Sequence, residues 1–247
     1  MKILFSPSET KTDITNFGAI QRKSFIFPSL YEKRLTILEH YQRFLQEANT
    51  LSLQKLFGYK DMEKVIYYSN INPLTAFTCK AIERYSGVAY DYLDFKTLDS
   101  ISQSFVEDHV MIFSNLFGPL LAKDLIPDYK VHQGESLNGL NLASFYKESF
   151  STSIDEWIGD ECVLDLRAGF YEKFYTLKRP FISMKFLKNG KNVSHFAKAY
   201  RGSVLRTMAQ YRPKDEKELQ QIPFLGLKIK EITLSKFKRE YIFESID

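Results

Sequence analysis

A chain of 247 residues that is 44% hydrophobic and 15% aromatic has ample apolar mass for a substantial core, as one large domain or two small ones. No run approaches the roughly 18–20 uninterrupted apolar residues of a membrane helix, and residues 1–9 lack the basic, apolar, small-residue order of a signal peptide. Two cysteines, Cys79 and Cys162, are too few for a disulfide framework, so a cytoplasmic protein with a net charge of +4 is expected rather than a membrane or secreted one.

Residues 2–5 read as a short buried strand, broken at Ser6 and Pro7 by a polar loop that carries Ser8, Glu9, Thr10 and Lys11. Apolar residues at helical spacing (Leu30, Leu38, Tyr41, Leu45) predict a helix over 30–46. Between 51 and 68 two short helical stretches are joined through Leu56, Phe57, Gly58 and Tyr59, which suggests a helix-hairpin-helix. In such an element the hairpin glycine and the first amides of the second helix face a DNA phosphate, with Lys60 adding charge. An ordinary helical corner is the plainer alternative.

Asn72 and Pro73 predict a cap and first turn of a helix that Gly87 ends. Residues 110–113 form a second apolar strand, stopped by Gly118 and Pro119, and 162–166 a third that runs directly into Arg167, Ala168 and Gly169. Asn189-Gly190, between a strand at 181–187 and another after Lys191, is a strong hairpin signal. Ser194 caps a helix reaching about Tyr211, and residues 227–243 return to strand alternation. The pattern predicts an α/β fold of mixed α+β character: a mixed β-sheet flanked by helices, in a single domain spanning 1–247.

The charge is unevenly placed. Residues 1–164 carry 16 Lys and Arg against 21 Asp and Glu, whereas residues 165–247 carry 18 against 9, so −5 faces +9. Between 165 and 212 there are 11 basic residues and two acids, Asp165 and Glu172. Such a concentration attracts polyanions, although a solvated Lys-rich surface has the same composition. On a helix from Ser194, the residues His195, Lys198, Gly202 and Arg206 fall within an arc of about 80°. Arg201 widens this basic stripe, and Phe196, Tyr200, Val204, Thr207, Met208 and Tyr211 gather opposite, so packing them on the sheet turns the stripe outward. Gly202 costs about 1 kcal/mol in a helix interior, which close approach of a ligand or another backbone would offset.

Three loops join the stripe if their strands lie side by side, since ligands of open α/β sheets gather beyond the carboxyl ends of strands. Hydroxyls at 6, 8 and 10 with Lys11 offer donors to phosphate or carboxylate. Arg167 either clamps an oxyanion or neutralises a buried carboxylate such as Asp165. The third loop runs from Ser114 to Gly118. The four histidines are scattered, and there is no metal-ligand spacing, phosphate loop, dinucleotide fingerprint or nucleophile elbow, so neither cofactor nor bound metal is expected.

Five segments in order, residues 1–11 (MKILFSPSETK), 81–94 (AIERYSGVAYDYLD), 110–118 (VMIFSNLFG), 163–171 (VLDLRAGFY) and 193–206 (VSHFAKAYRGSVLR), resemble the signature segments of the YaaA family of peroxide stress proteins. The resemblance implies one α/β domain with a positively charged cleft and a helix-hairpin-helix. It also implies DNA binding and a part in limiting free intracellular iron during hydrogen peroxide stress. It places Arg167, Tyr171, His195, Lys198, Arg201, Gly202 and Arg206 along the cleft. The opening loop departs from the family pattern: Ser8-Glu9-Thr10 stands where many members have alanine, lysine, threonine, and Lys11 is the nearest substitute. After Gly118, Leu121 occupies a position where many members have arginine. The expected partner is double-stranded DNA held by its backbone without regard to sequence, the protein acting as a monomer. The rival expectation is an enzyme acting on a phosphorylated or nucleotide-like small molecule, with His195 as general acid or base.

Overall fold

In the computed structural model, which describes residues 1–192 and 196–246, β1 (Lys2–Phe5) leads through a long irregular segment to α1 (Tyr31–Glu47), α2 (Thr50–Phe57) and α3 (Met62–Ser69). Next come β2 (Thr78–Lys80), α4 (Ala81–Arg84), α5 (Val88–Leu93), α6 (Ser100–His109), β3 (Val110–Ser114), β4 (Gly118–Leu121) and β5 (Leu125–Pro127). The chain continues through α7 (Leu142–Ile158), β6 (Val163–Asp165), β7 (Phe181–Lys188), β8 (Lys191–Asn192), α8 (Phe196–Tyr211) and α9 (Glu216–Gln220). It closes with the hairpin of β9 (Leu227–Ser235) and β10 (Lys238–Ser245).

The main sheet runs in the order β4-β3-β1-β6-β7-β10-β9, with β8 paired to the end of β7. Its five inner strands, β3, β1, β6, β7 and β10, are parallel, and the outer β4, β9 and β8 join antiparallel. A second, two-stranded antiparallel sheet pairs β2 with β5. This is the mixed, helix-flanked α/β fold expected from the sequence. Of the inner strands β1 and β3 are buried nearly throughout, whereas β7 and β10 largely alternate buried with half-buried residues, and a fully buried Ile3, Leu4 or Ile112 contributes about 1.5–3 kcal/mol. Registers such as Ile3↔Val110 and Leu4↔Asp165 put the carboxyl ends of β1, β3 and β6 at one edge. The loops that follow them therefore meet.

Asn189 and Gly190 make the expected tight hairpin, both at positive φ. Of the helix expected between Asn72 and Gly87 only the single turn of α4 forms. The Asn72 side chain accepts from the Leu74 N–H and its carbonyl from Ala76, which closes a turn, and residues 78–80 pair with β5 instead. Gly87 starts α5 rather than ending a helix. Gly118 and Pro119, expected to stop a strand, open β4, which pairs back on β3. The expected cap Ser194 lies outside the described residues, as does His195. No helix among the described residues is long and apolar enough to cross a membrane.

Two fully buried arginines tie irregular chain to the body. Arg34 donates to the carbonyls of Phe117 and Pro119, and Arg84 to those of Thr12, Ile14 and Ile126. The Arg84 clamp fixes the segment after β1, and so the loop that heads the site.

Candidate anion-binding site

Because β1 and β6 are parallel neighbours, the loops after them share a wall. The Ala168 N–H donates to Ser6 Oγ at 2.7 Å, and the Tyr90 hydroxyl, at the start of α5, donates to the Ser6 carbonyl at 2.9 Å. Thr10 Oγ1 donates to the Ser86 carbonyl at 2.8 Å, and Ser8 Oγ lies 3.1 Å from it. These bonds enclose a cavity of about 380 Å³ lined by residues 5–10, residues 87–90, Gln133, Ala168, Tyr171, Lys198 and Arg201.

Glu9 lies in this wall with its charge compensated. Its carboxylate accepts from Lys130 Nζ at 2.9 Å, His132 Nδ1 at 2.8 Å and the Gln133 N–H at 3.1 Å. Burial disfavours its charged form, but the hydrogen bonds from Lys130, His132 and Gln133 prevail and hold the carboxyl at about 2. Lys130 is buried beneath the Tyr59 ring, 4.7 Å from its centroid, so the cluster also ties the α2–α3 hairpin to the cavity.

Since the folded carboxyl titrates below its ordinary 4.5, the unfolded chain binds the extra proton, and the contribution of Glu9 is complete above 4.5 and lost as pH falls toward 2. Discounted for its solvent exposure, it is worth about 1–2 kcal/mol. Urea unfolding of Glu9→Gln is expected to show that deficit at neutral pH and a shrinking one as the buffer is acidified. A deficit independent of pH would assign the loss to packing.

The basic stripe of α8 is dismantled by what packs on it. A Cβ on Gly202 would lie 2.0 Å from the Ala89 carbonyl oxygen, so this glycine is where α8 and α5 touch, not where a ligand approaches. Arg206 donates to the carbonyls of Leu93 and Asp94, both at 2.8 Å, and to Thr97 Oγ1 at 2.9 Å. It satisfies the C-terminal carbonyls of α5, and to contact a phosphate it would have to leave them. The outward turn expected for the whole stripe fails because α5 covers half of it, while Phe196 and Tyr211, expected in the core, are exposed. Lys198 remains exposed and Arg201 half-buried, one helical turn apart on the cavity wall.

Arg167 is turned inward. It meets Asp165 bidentately, Nε to Oδ1 at 2.9 Å and Nη2 to Oδ2 at 2.7 Å, and its Nη1 donates to the Tyr175 and Tyr171 carbonyls at 2.8 and 3.2 Å. Of the two readings open for it, the structure adopts neutralisation of Asp165. Tyr171 lines the cavity but is otherwise buried, and burial raises its phenol pKa.

Lys11 does not line the cavity. Its ammonium sits over the Tyr129 ring, 4.2 Å from the centroid, and burial pulls its pKa down to about 7 against the attraction of Asp128. At neutral pH it is therefore a weak fixed cation, unlike the phosphate donor expected.

The α2–α3 hairpin is present, and the Gly58, Tyr59 and Glu63 amides are used internally. Gly58, at φ 69°, caps α2 with its N–H on the Lys55 carbonyl at 3.2 Å, and the Tyr59 N–H bonds the Gln54 carbonyl at 3.1 Å. A Cβ at Gly58 would strike the His132 ring, so packing accounts for this glycine. The second helix opens on Asp61, which caps the Glu63 N–H, and two carboxylates stand where a phosphate was expected. Lys60 is exposed beside them. The Gly58 amide on which the helix-hairpin-helix expectation rested is thus engaged within the chain, and the start of α3 carries acidic side chains.

A second hollow, of about 440 Å³, shares the Arg201 wall. Asp165, Glu172 and Glu240 line it along with Arg167, Lys185, Arg201 and Lys238, and the 165–167 and 238–240 pairs are already formed. Two of its four cations are already held by carboxylates and a third acid, Glu172, shares the hollow, which makes it a poorer host for an anion than the cavity at the strand ends. Among the described residues, no group of three or more His, Cys, Asp or Glu is arranged to hold a metal ion.

The sequence reading missed Gln133, Val88, Tyr90 and the partners of Glu9. They come from segments about 80 to 120 residues from the opening loop, and nothing local marks them.

A family model described as "Peroxide stress protein YaaA" matches residues 1–233. An uncharacterized protein of Campylobacter jejuni is 45% identical over 247 residues, covering 100% of both chains. A UPF0246 protein of Corynebacterium glutamicum is 34% identical over 216 residues, 85% of each chain, and one of Streptomyces coelicolor is 28% identical over 84% of this chain and 82% of its own.

Proposed function

This chain belongs to the YaaA family of peroxide stress proteins, and from that premise we propose that it serves in the response to peroxide by binding the phosphate backbone of double-stranded DNA. The observation that carries the proposal is the pairing of exposed Lys198 with half-buried Arg201 on α8, at the mouth of a cavity beyond the carboxyl ends of β1 and β6. Burial alone lowers the Arg201 pKa, and Asp165 and Glu172 counter it, so its guanidinium stays charged. The grip involves two cations rather than the longer stripe read from the sequence. Contact is to phosphates, so binding is salt-sensitive and tolerant of sequence.

The Lys198→Ala, Arg201→Ala double variant is expected to bind unrelated duplexes more weakly by a common factor. Its plot of log K against log salt is expected to be shallower by about two. Fluorescence anisotropy over a salt series measures both, and an unchanged slope would remove α8 from the interface. Limitation of free iron under peroxide belongs to the proposal as a consequence in cells, to be followed as the free-iron level in strains carrying that variant.

The size of the cavity favours a second reading, since about 380 Å³ lies within the range of roughly 300–1,000 Å³ typical of small-molecule sites. An enzyme acting on a phosphorylated or nucleotide-like molecule would use the same two cations. Thermal stabilisation by a phosphorylated metabolite, without DNA affinity, would favour it.

A further inference from the structure

We infer that the cavity at the strand ends accepts one nucleoside phosphate, its base enclosed between the loop after β1 and α5 and its phosphate on Lys198 and Arg201. The inference rests on the reading that these two cations hold phosphate, and it assigns the space beside them.

Three features of the lining lead to a base rather than a bare anion. Most of the lining is apolar, with Val88, Ala89, Tyr90 and Tyr171 among it, and inorganic phosphate or a sugar phosphate would leave that surface unused. A flat ring covers such a wall and can rest against tyrosine, as bases do on aromatic platforms. The second feature is Glu9. A site shaped only for phosphate gains nothing from a carboxylate in its wall, yet this one is held ionised by Lys130, His132 and the Gln133 amide. A carboxylate only accepts hydrogen bonds, so it suits a ring N–H or an exocyclic amine. The third feature is the supply of further polar partners, namely the Ser8 hydroxyl and the Gln133 side chain, which both donate and accept, and the Thr10 hydroxyl, which accepts while its proton is held on the Ser86 carbonyl. Base-edge partners thus accompany a flat apolar wall, with cations on α8.

The nucleoside phosphate has two possible sources, a free mononucleotide or an unpaired nucleotide turned out of a strand. A paired base in a duplex is stacked and does not enter. Calorimetric titration with AMP, GMP, CMP and dTMP, against ribose 5-phosphate and inorganic phosphate, tests the cavity. At least one nucleotide is expected to bind ten-fold or more tightly than ribose 5-phosphate. Val88→Trp, at an exposed position that lines the cavity, is expected to erase the difference, and Gln133→Ala to reduce it several-fold with unchanged thermal stability. Labelled duplexes that are fully paired, that carry one unpaired nucleotide, or that carry an abasic residue at that place distinguish the source. A preference for the unpaired nucleotide over the abasic one, lost in Val88→Trp, assigns it to a strand.

Nucleotide binding with no preference among the duplexes assigns it to the free pool and upholds the cavity while removing the DNA reading. Nucleotides no tighter than ribose 5-phosphate, together with no preference among duplexes, overturn the inference. So does a nucleotide advantage that survives in both Val88→Trp and Gln133→Ala. Salt-sensitive duplex binding that is lost in the Lys198→Ala, Arg201→Ala variant would in those cases leave the DNA reading standing alone.

Discussion

Gly202→Ala is expected to destabilise the protein by about 3 kcal/mol or more, at the upper end of what overpacking costs in a well-filled interior. The added methyl would sit 2.0 Å from the Ala89 carbonyl oxygen and 3.0 Å from Tyr92 Cβ. The first of these is backbone and has no rotamer by which to withdraw. Helices α5 and α8 must therefore separate, and the carbonyls that Arg206 caps move with α5. Relief from the helix-propensity penalty of glycine, about 1 kcal/mol, offsets only part of this. In a chain of this size each kcal/mol lowers Tm by roughly 2–4 °C, so a fall of about 6–12 °C is expected by calorimetry. Affinity for anions should fall in parallel, because α5 and α8 are two walls of one cavity. A variant as stable as the parent that has lost only binding would restore Gly202 to the role read from the sequence, a point of ligand approach.

Arg167→Ala carries the second large effect, a loss of about 3–5 kcal/mol, because removing one member of a buried pair leaves the other charge uncompensated. The Arg167 and Asp165 side chains are 1% and 8% exposed, and the guanidinium lies over the Phe113 ring, 4.7 Å from its centroid. Arg167→Lys is expected to recover little, since an ammonium cannot span two carboxylate oxygens and two carbonyls at once. The Asp165→Leu, Arg167→Met pair, which removes both charges and keeps apolar volume, is expected to be more stable than Arg167→Ala alone. Denaturant midpoints of the four proteins decide the matter. Full stability of Arg167→Ala with loss of anion binding would show that the arginine serves a ligand instead.

Both effects concern residues that the sequence marked as unusual while leaving two kinds of partner open, a ligand or the chain itself. A glycine in a helix and an arginine just past a strand each signal a special environment. The signal does not say whether the neighbour is a ligand or another part of the chain. At Gly202 the neighbour is α5, more than 100 residues earlier, and at Arg206 it is the end of the same helix. Glu9 is the converse case. It stands as an acid in a loop that otherwise offers donors, and Lys130 and His132 make it a fixed acceptor.

The sequence by itself determined β1, β3 and β6 of the main sheet, because short apolar runs such as 2–5 and 110–113 are suited to buried parallel strands, whereas β4, opened by the Gly118-Pro119 pair that reads as a stop, was not legible. It also determined the 189–190 hairpin, through an Asn-Gly pair suited to positive φ, and the meeting of the loops after β1 and β6 once those strands were taken as parallel neighbours. Periodicity did not separate the short β2 from a helix, because three residues carry too little pattern and pairing with β5 supplies the stabilisation. Only the tertiary structure decided which cations are free. An arginine settles on whatever carbonyls and carboxylates surround it, and those around Arg34, Arg84 and Arg206 come from segments far away in the chain. Local sequence fixes the charge of a side chain, but the acceptor it finds is a property of the folded chain.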